Sequence, residues 1–500
     1  MKITLETNVE SVSEFYLQTL VLLYRPCEVF GKNDTSSSAL FCRVFEEDGR
    51  ISALVHLSDN GRVESAEEAE DTPEGYPDGI NVAKTIVGRA FLGAAKAVYG
   101  FVSPFGMITG IRPAKLALSY LERGYSDREI ADIFGNVYMI EPDKSRTLID
   151  IADRERSLLH SLDRNTFSLY ISIPFCPTRC SYCSFVSYST DRLLSMIPDY
   201  LVRLFEDIRV IGALSRELGL SLYSVYVGGG TPSILSAEQI RMLLDCVHSS
   251  FDISKLSEFT FEAGRPDTVT YEKLAVLRDG GVDRISLNTQ TANNEVLRRI
   301  GRQHTFEDYL EKLSIAREIG FRSVNTDLIA GLPGESFESF ANSVERVIGC
   351  GVENVTVHSL TLKKSSELRT ERETELLSEG IKVRKMLDFA RNALDAEGYY
   401  PYYIYRQKNT VGNLENVGYA KNGLECLYNI LMMEEFHTVF SAGAGAVTKL
   451  VSPDRKYIER LFEQKYPYEY LGKSDKRLDT GAVKKFYTEY FGIQTSEGTF

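Results

Sequence analysis

Residues 168–185 read "SLYISIPFCPTRCSYCSF": a strand-like run, then three cysteines, Cys176, Cys180 and Cys183, within eight positions. The other five cysteines, Cys27, Cys42, Cys246, Cys350 and Cys426, stand singly. Soft thiolates at C-x3-C-x2-C spacing suit an iron–sulfur cluster or zinc. A structural zinc needs a fourth ligand, usually from a second Cys or His pair. No such pair stands near, and Cys246 or Cys350 would have to be recruited from afar. Three thiolates on one face of an iron–sulfur cube leave the fourth iron open to a ligand.

Outward from this stretch, five more β-rich runs follow: "SVYVGGG" from Ser224, "EFTFEA" from Glu258, "DRISLNT" from Asp283, "FRSVNTDLIA" from Phe321 and "NVTVHSL" from Asn354. Helix-like stretches separate them, such as "SAEQIRMLLDCVHSSF", with Ser236 placed to cap it, and "FEDYLEKLSIAREIG", closed by Gly320. Strands alternating with helices of this length predict right-handed βαβ units, a parallel sheet and an α/β fold. Six units make an open sheet or an incomplete (β/α)6 barrel, and either gathers ligands at the C-terminal ends of its strands. The unusual polar residues fall there: the cysteines after the first run, "GGGTP" after the second, then Glu262, Gln290 and Asp327.

A chain of 500 residues is expected to hold two or three domains. The boundaries read as an N-terminal α+β region (1–165), the barrel (166–365) and a mixed α/β extension (366–500) on the substrate side. The first region opens with the strand-like "ALFCRVFEE" and "ISALVHLSD", followed by "ESAEEAEDTPEGYPDG", which reads as an acid-, Pro- and Gly-rich loop. "IRPAKLALSYLERGYSDREIADIF" superficially resembles a helix-turn-helix, but no basic recognition helix follows. With a net charge of −13 and no Lys/Arg block, nucleic-acid binding is not expected. The N-terminus has no apolar signal-peptide core and no run is long enough to span a membrane, so the expected compartment is the cytoplasm, where thiols stay reduced.

"CPTRCSYC" resembles the signature of radical S-adenosylmethionine enzymes. "LYISIPFCPTRCSYCSF", "YVGGGTP", "EFTFEAGRPDTVT", "RISLNTQTANNEVLRRIGRQHT" and "TDLIAGLPGES" together resemble the oxygen-independent coproporphyrinogen III dehydrogenase family, over roughly residues 168 to 362. The long N-terminal region, "VGNLENVGYA" and "AGAGA" are most similar to its HemZ-type branch. The resemblance implies a partial barrel, a [4Fe–4S] cluster on Cys176, Cys180 and Cys183, and one or two molecules of S-adenosylmethionine. Reductive cleavage of that cofactor would give a 5′-deoxyadenosyl radical. It further implies Tyr182 against the adenine, Gly229, Gly230 and Thr231 beside the methionine amino group, and Glu262 on the ribose. Tyr170, Gln290, Arg302, Asp327 and Thr361 become candidates near the cofactor or a second copy of it.

Each of these residues also has a plainer reading. Tyr182 is equally a core aromatic, the triple glycine a tight turn, Glu262 an exposed strand carboxylate, Arg302 a solvated helix charge and Asp327 a helix cap. His304 and His358 read as structural histidines. The implied reaction turns two propionates of coproporphyrinogen III into vinyls in haem biosynthesis, with flavodoxin or ferredoxin as a typical electron donor. Its carboxylates call for cations, and Arg406, Lys408, Lys363 and Lys364 are the candidates. Two departures bear on the activity: Phe185 stands where proven dehydrogenases commonly have a further Cys, and Ser172 replaces the His of "HIPFC". A haem chaperone on the same scaffold, a radical enzyme acting on haem or another tetrapyrrole, and a zinc-stabilised interaction module are the alternatives.

Overall fold

Sixteen strands organise the described part of the chain. The computed structural model describes residues 2–24, 28–30, 38–59, 61–71, 80–183, 188–361, 376–407, 410, 413–472 and 478–493. The six β-rich runs become β6 (Thr166–Ile173), β7 (Ser221–Gly229), β8 (Glu258–Gly264), β9 (Arg284–Leu287), β10 (Ser323–Ala330) and β11 (Asn354–Ser359). They are preceded by β1 (Lys2–Thr7), β2 (Glu28–Phe30), β3 (Ala39–Glu47), β4 (Arg50–Asp59) and β5 (Arg62–Asp71). They are followed by β12 (Tyr400–Arg406), β13 (Glu415–Ala420), β14 (Thr438–Ala442), β15 (Val447–Val451) and β16 (Ile458–Phe462).

Each of β6 to β11 pairs in parallel with the next in sequence, with no switch point in the strand order. A chain that always advances one way winds a sheet toward a barrel rather than a doubly wound sheet. The expected six-stranded partial barrel is therefore present, and the C-terminal region widens it at both edges. β13 and β12 add antiparallel beyond β11, while β14 joins β6 in parallel and carries β15 and β16, giving an eleven-stranded open sheet.

One face of this sheet is apolar: Phe167, Leu169, Ile171, Val225, Val227, Phe259 and Phe261 are buried in the core shared with the connecting helices. Burying each such side chain contributes about 1.5–3 kcal/mol. The helices start and stop where their termini are satisfied. Ser236 and Gln239 form a capping box before Ala237–Ser250, and Gly320 ends Phe306–Ile319 in the left-handed region at φ 85°.

The other face carries polar side chains that satisfy one another. Ser168 Oγ lies 2.6 Å from Ser224 Oγ and 2.7 Å from His437 Nε2. At its lower end Arg284 donates to Ser323 Oγ (2.9 Å), Leu424 O (2.9 Å) and Asn354 Oδ1 (2.6 Å). The Glu258 carboxylate accepts from Leu427 N (2.8 Å) and Tyr428 N (3.1 Å), capping the helix Leu427–Glu434 from beneath. Residues 421–437 thus form the floor of the barrel.

β1 to β5 build a separate sheet in the order β2-β1-β3-β4-β5. Its core of Ile3, Leu5, Leu40, Val55, Phe91 and their neighbours closes at Met107, whereas Phe105 and the helices that follow it belong to the larger core. The larger core therefore begins well before residue 165. The first half of the expected loop, "ESAEEAED", is strand instead: residues 62–71 are β5, antiparallel to β4 over its whole length, while "TPEGYPDG" lies outside the described residues. The backbone of β4 needs a partner regardless of side-chain charge, and an acidic edge strand repels further strands. No helix of the described residues is long and apolar enough to cross a membrane.

Candidate active site

Period-two alternation puts Tyr170, Glu262 and Asp327 on the polar face, near the C-terminal ends of β6, β8 and β10. Tyr170 stacks on Tyr226 (centroids 6.2 Å apart) and on Tyr428 (6.1 Å), and Tyr226 stacks on Tyr428 at 4.5 Å. The Tyr226 hydroxyl donates to Glu262 Oε1 at 2.7 Å. Burial pushes the Glu262 carboxyl up to about 7, with Asp327 adding to the effect and hydrogen bonds from Tyr226 and Gly229 opposing it. Glu262 is therefore not the freely solvated strand carboxylate of the plainer reading.

The glycines fuse this wall to the cysteine loop. Gly230 N donates to Ile173 O and Thr231 N to Phe175 O, both at 2.8 Å, continuing the β6–β7 ladder to the residue before Cys176. A Cβ on Gly230 would stand 2.5 Å from Phe175 O, and one on Gly228 would stand 2.8 Å from the Tyr226 ring and 2.9 Å from Glu262. Gly229 holds φ at +116°, which side chains rarely tolerate. Thr231 Oγ1 lies 3.3 Å from Cys176 Sγ.

The loop itself is pinned on both sides. Cys176 N donates to Tyr188 O (3.0 Å), Cys183 N to Cys180 O (3.1 Å) and Ser181 N to Ile300 O (3.1 Å). Cys176 and Cys180 are buried and Cys183 is partly exposed. Tyr182 packs against the main core, and its hydroxyl accepts from Arg302 Nε (3.2 Å) and Nη2 (2.9 Å). Arg302 is buried rather than a solvated helix charge. Burial raises the Tyr182 pKa against the opposing effect of Arg302, so the hydroxyl stays neutral.

Gln290 is buried at φ +73°, a conformation that non-glycine residues adopt sparingly and often at functional positions. Its N–H donates to Asp327 O (2.9 Å) and its carbonyl accepts from Ile329 N (3.0 Å), which fixes it beside β10. Asp327 accepts from Asn325 Nδ2 at 2.8 Å and faces His358 Nε2 at 3.7 Å. Burial alone would raise the Asp327 pKa, but His358 and these hydrogen bonds outweigh it and hold it below the usual range. The Tyr405 hydroxyl lies 3.4 Å from His358 Nδ1. Thr361 donates to Gln407 Oε1 (2.9 Å) and bridges Thr410, between the ends of β11 and β12.

The proposed substrate cations fare differently. Arg406 is buried, and its guanidinium donates to Ile108 O (2.6 Å) and Asn413 O (3.2 and 3.3 Å), while its ring neighbour is Phe105. It ties the 104–111 segment to β12 and does not share the site. Burial lowers its pKa to about 10. Lys408, Lys363 and Lys364, with Phe185, lie outside the described residues.

The sequence reading missed Tyr226 and Tyr428, though parity puts Tyr226 on the same face of the sheet as Glu262, in register with Thr260 two residues before it. It also passed over Arg265 and Asp267 in "EAGRPD". Arg265 Nη1 donates to Thr178 Oγ1 at 2.7 Å and lies 3.9 Å from Cys180 Sγ, while Asp267 takes Nε and Nη2 at 3.1 and 3.0 Å. Burial would raise the Asp267 pKa, but the facing His304 ring and the hydrogen bonds from Arg265 outweigh it and lower it.

Residues 170–347 match the Radical SAM superfamily. The oxygen-independent coproporphyrinogen-III oxidase-like protein HemZ of Bacillus subtilis is 34% identical over 462 residues, 92% of this chain and 92% of that protein. The heme chaperone HemW of the same organism is 31% identical over 355 residues, covering 67% of this chain and 89% of its own. Among solved structures, coproporphyrinogen III oxidase (HemN) from Escherichia coli matches with a TM-score of 0.51 at 24% identity, over 64% of this chain and 72% of that one. That last likeness is one of fold.

The superfamily implies a [4Fe–4S] cluster and S-adenosylmethionine. The donor set fits the cluster. Three thiols share one loop, while Cys42 lies in the N-terminal core, Cys246 bonds Phe205 O, Cys350 caps a helix and Cys426 bonds Glu258. Among the described residues no three His, Cys, Asp or Glu side chains converge on one ion. A cube does not require its ligands to share one ion, because each thiolate ligates a different iron.

Proposed function

Because the chain belongs to the radical S-adenosylmethionine superfamily, in the branch of the coproporphyrinogen-III oxidase-like protein HemZ, we propose that it converts coproporphyrinogen III to protoporphyrinogen IX without oxygen. Each of two propionate arms would give one hydrogen atom to a 5′-deoxyadenosyl radical, making 5′-deoxyadenosine, and one electron to an external one-electron acceptor, lose CO2 and become a vinyl group. The observation that carries the reading is the match over 92% of both chains, which reaches into the N-terminal region and the C-terminal extension as well as the barrel.

Bound to Cys176, Cys180 and Cys183, the cluster and S-adenosylmethionine would supply one-electron cleavage of a sulfonium and a radical able to take hydrogen from an unactivated carbon. A small electron carrier such as flavodoxin or ferredoxin would provide the electron. Glu262, oriented by Tyr226, would accept hydrogen bonds from ribose hydroxyls. Gly228, Gly229 and Gly230 would leave room for the cofactor's methionine beside the strand end, with Thr231 next to Cys176. Tyr182, braced by Arg302, would lie against the adenine. Gln290, Asp327 and Thr361, at or just past the ends of β9, β10 and β11, would contact the cofactor or a second molecule of it. The Tyr170–Tyr226–Tyr428 stack and the floor at residues 421–437 would exclude water from below.

The test is anaerobic reconstitution with iron and sulfide, followed by incubation with S-adenosylmethionine, reductant and coproporphyrinogen III. 5′-Deoxyadenosine together with protoporphyrinogen IX is the expected result. The 31% identity to a heme chaperone over 89% of its length favours a second reading, haem carriage on this scaffold. Stoichiometric haem binding with no loss of porphyrinogen would select it. Deoxyadenosine formed only with haem or another tetrapyrrole would select a different substrate.

A further inference from the structure

We propose that Arg265 is a positioning residue for the cluster: it clamps the cysteine loop through Thr178 and sets a positive charge beside Cys180, raising the potential at which the cluster accepts an electron. The inference rests on the cluster that superfamily membership implies, not on the identity of the tetrapyrrole.

The geometry starts at the end of β8. Gly264 turns the chain at φ +66°, and a short turn over Pro266–Thr268 follows. This turn aims Arg265 back at the neighbouring loop rather than outward. Its side chain is 4% exposed. One edge of the guanidinium meets the cysteine loop: Nη1 donates to Thr178 Oγ1 (2.7 Å) and to Thr178 O (3.3 Å), and lies 3.9 Å from Cys180 Sγ. Thr178 sits midway between Cys176 and Cys180, so holding it fixes the spacing of two thiols. The other edge forms a two-pronged pair with Asp267 at 3.1 and 3.0 Å. His304 backs Asp267, with Nδ1 3.8 Å from Oδ1.

Reduction adds one negative charge to the cluster. A buried cation within hydrogen-bonding range of a ligand sulfur stabilises that charge, and a nearby anion opposes it. Arg265 and Asp267 therefore act with opposite signs, and Asp267, which holds the Nε and Nη2 edge of the guanidinium while Nη1 faces the thiol, only partly cancels Arg265. An arginine serves here because its fork can hold a carboxylate with one edge and leave donors for a second partner.

The test compares R265Q, R265K and D267N with the unmodified chain after anaerobic loading, reading iron per chain, iron loss to a chelator and the midpoint potential by electron paramagnetic resonance. R265Q is expected to release iron faster and to lower the reduction equilibrium constant by about tenfold, ~59 mV for one electron. R265K keeps the charge and restores most of the potential, while D267N shifts it upward. Should R265Q fail to fold by circular dichroism, D267N decides, since it removes only the counter-charge. Loaded variants with unchanged midpoints, or a downward shift in D267N, overturn the inference. An unmodified chain that takes up no iron and sulfide sinks the cluster reading itself, and this inference with it, a result distinct from loaded variants that behave alike.

Discussion

The unmodified chain should bind S-adenosylmethionine with a pH dependence that Glu262→Gln abolishes. The Glu262 carboxyl is pushed up to about 7, first by burial and then by Asp327, with Tyr226 and Gly229 opposing. At about pH 6 roughly one carboxyl in ten is then ionised, and at about pH 8 roughly nine in ten, because the ratio changes tenfold per unit from the pKa. A carboxylate accepts hydrogen bonds from ribose hydroxyls about twice as strongly as a neutral acid does. Affinity should therefore rise about tenfold between these limits, about 1.4 kcal/mol. Isothermal titration of the reconstituted protein in buffers of different ionisation enthalpy measures both the affinity and the proton released near neutrality. Glu262→Gln should bind weakly at every pH and release no proton. Parallel pH profiles for the two proteins would refute the reasoning. The same shift has a stability consequence of defined sign. The folded state favours the neutral acid, so this group's contribution is fully present below its unfolded value of 4.5 and is lost as pH rises through about 7.

Gly230→Ala should reduce iron incorporation and thermal stability, because its Cβ would meet Phe175 backbone atoms at 2.5 and 2.9 Å, a clash costing about 1–3 kcal/mol. Full iron loading with an unchanged melting temperature would contradict it. Arg406→Ala should lower stability by about 1–3 kcal/mol, since Ile108 O and Asn413 O lose their donor, and should leave porphyrin affinity unaltered. Lost affinity at unchanged stability in a urea titration would return Arg406 to a substrate role. Glu258→Ala removes the acceptor for Leu427 N and Tyr428 N and should destabilise the floor of the barrel by about 1–2 kcal/mol, read as earlier hydrogen exchange across residues 427–434.

The N-terminal region shows where a local reading fails. "ESAEEAED" has loop composition, yet it is a strand because β4 presents a row of unpaired backbone groups that any extended chain can satisfy. Arg406 fails for a related reason. A guanidinium flanked by tyrosines looks available in sequence, and only the approach of the 104–111 segment uses up its donors. Arg302 shows the reverse: an ordinary helix-end arginine by composition, it is buried against the ring between two cysteines.

The amino-acid order by itself determined the strand-helix alternation, the parallel sheet and the thiol loop at the mouth of β6. These follow from side-chain periodicity and from donor chemistry at fixed spacing, which are local properties of the chain. Only the tertiary structure decided which charges are free and which are taken. Arg406, Arg302, Arg265 and Glu258 all meet partners at least tens of residues away or across a loop, and burial makes each of those meetings obligatory, because a charge removed from water must find a bonded partner.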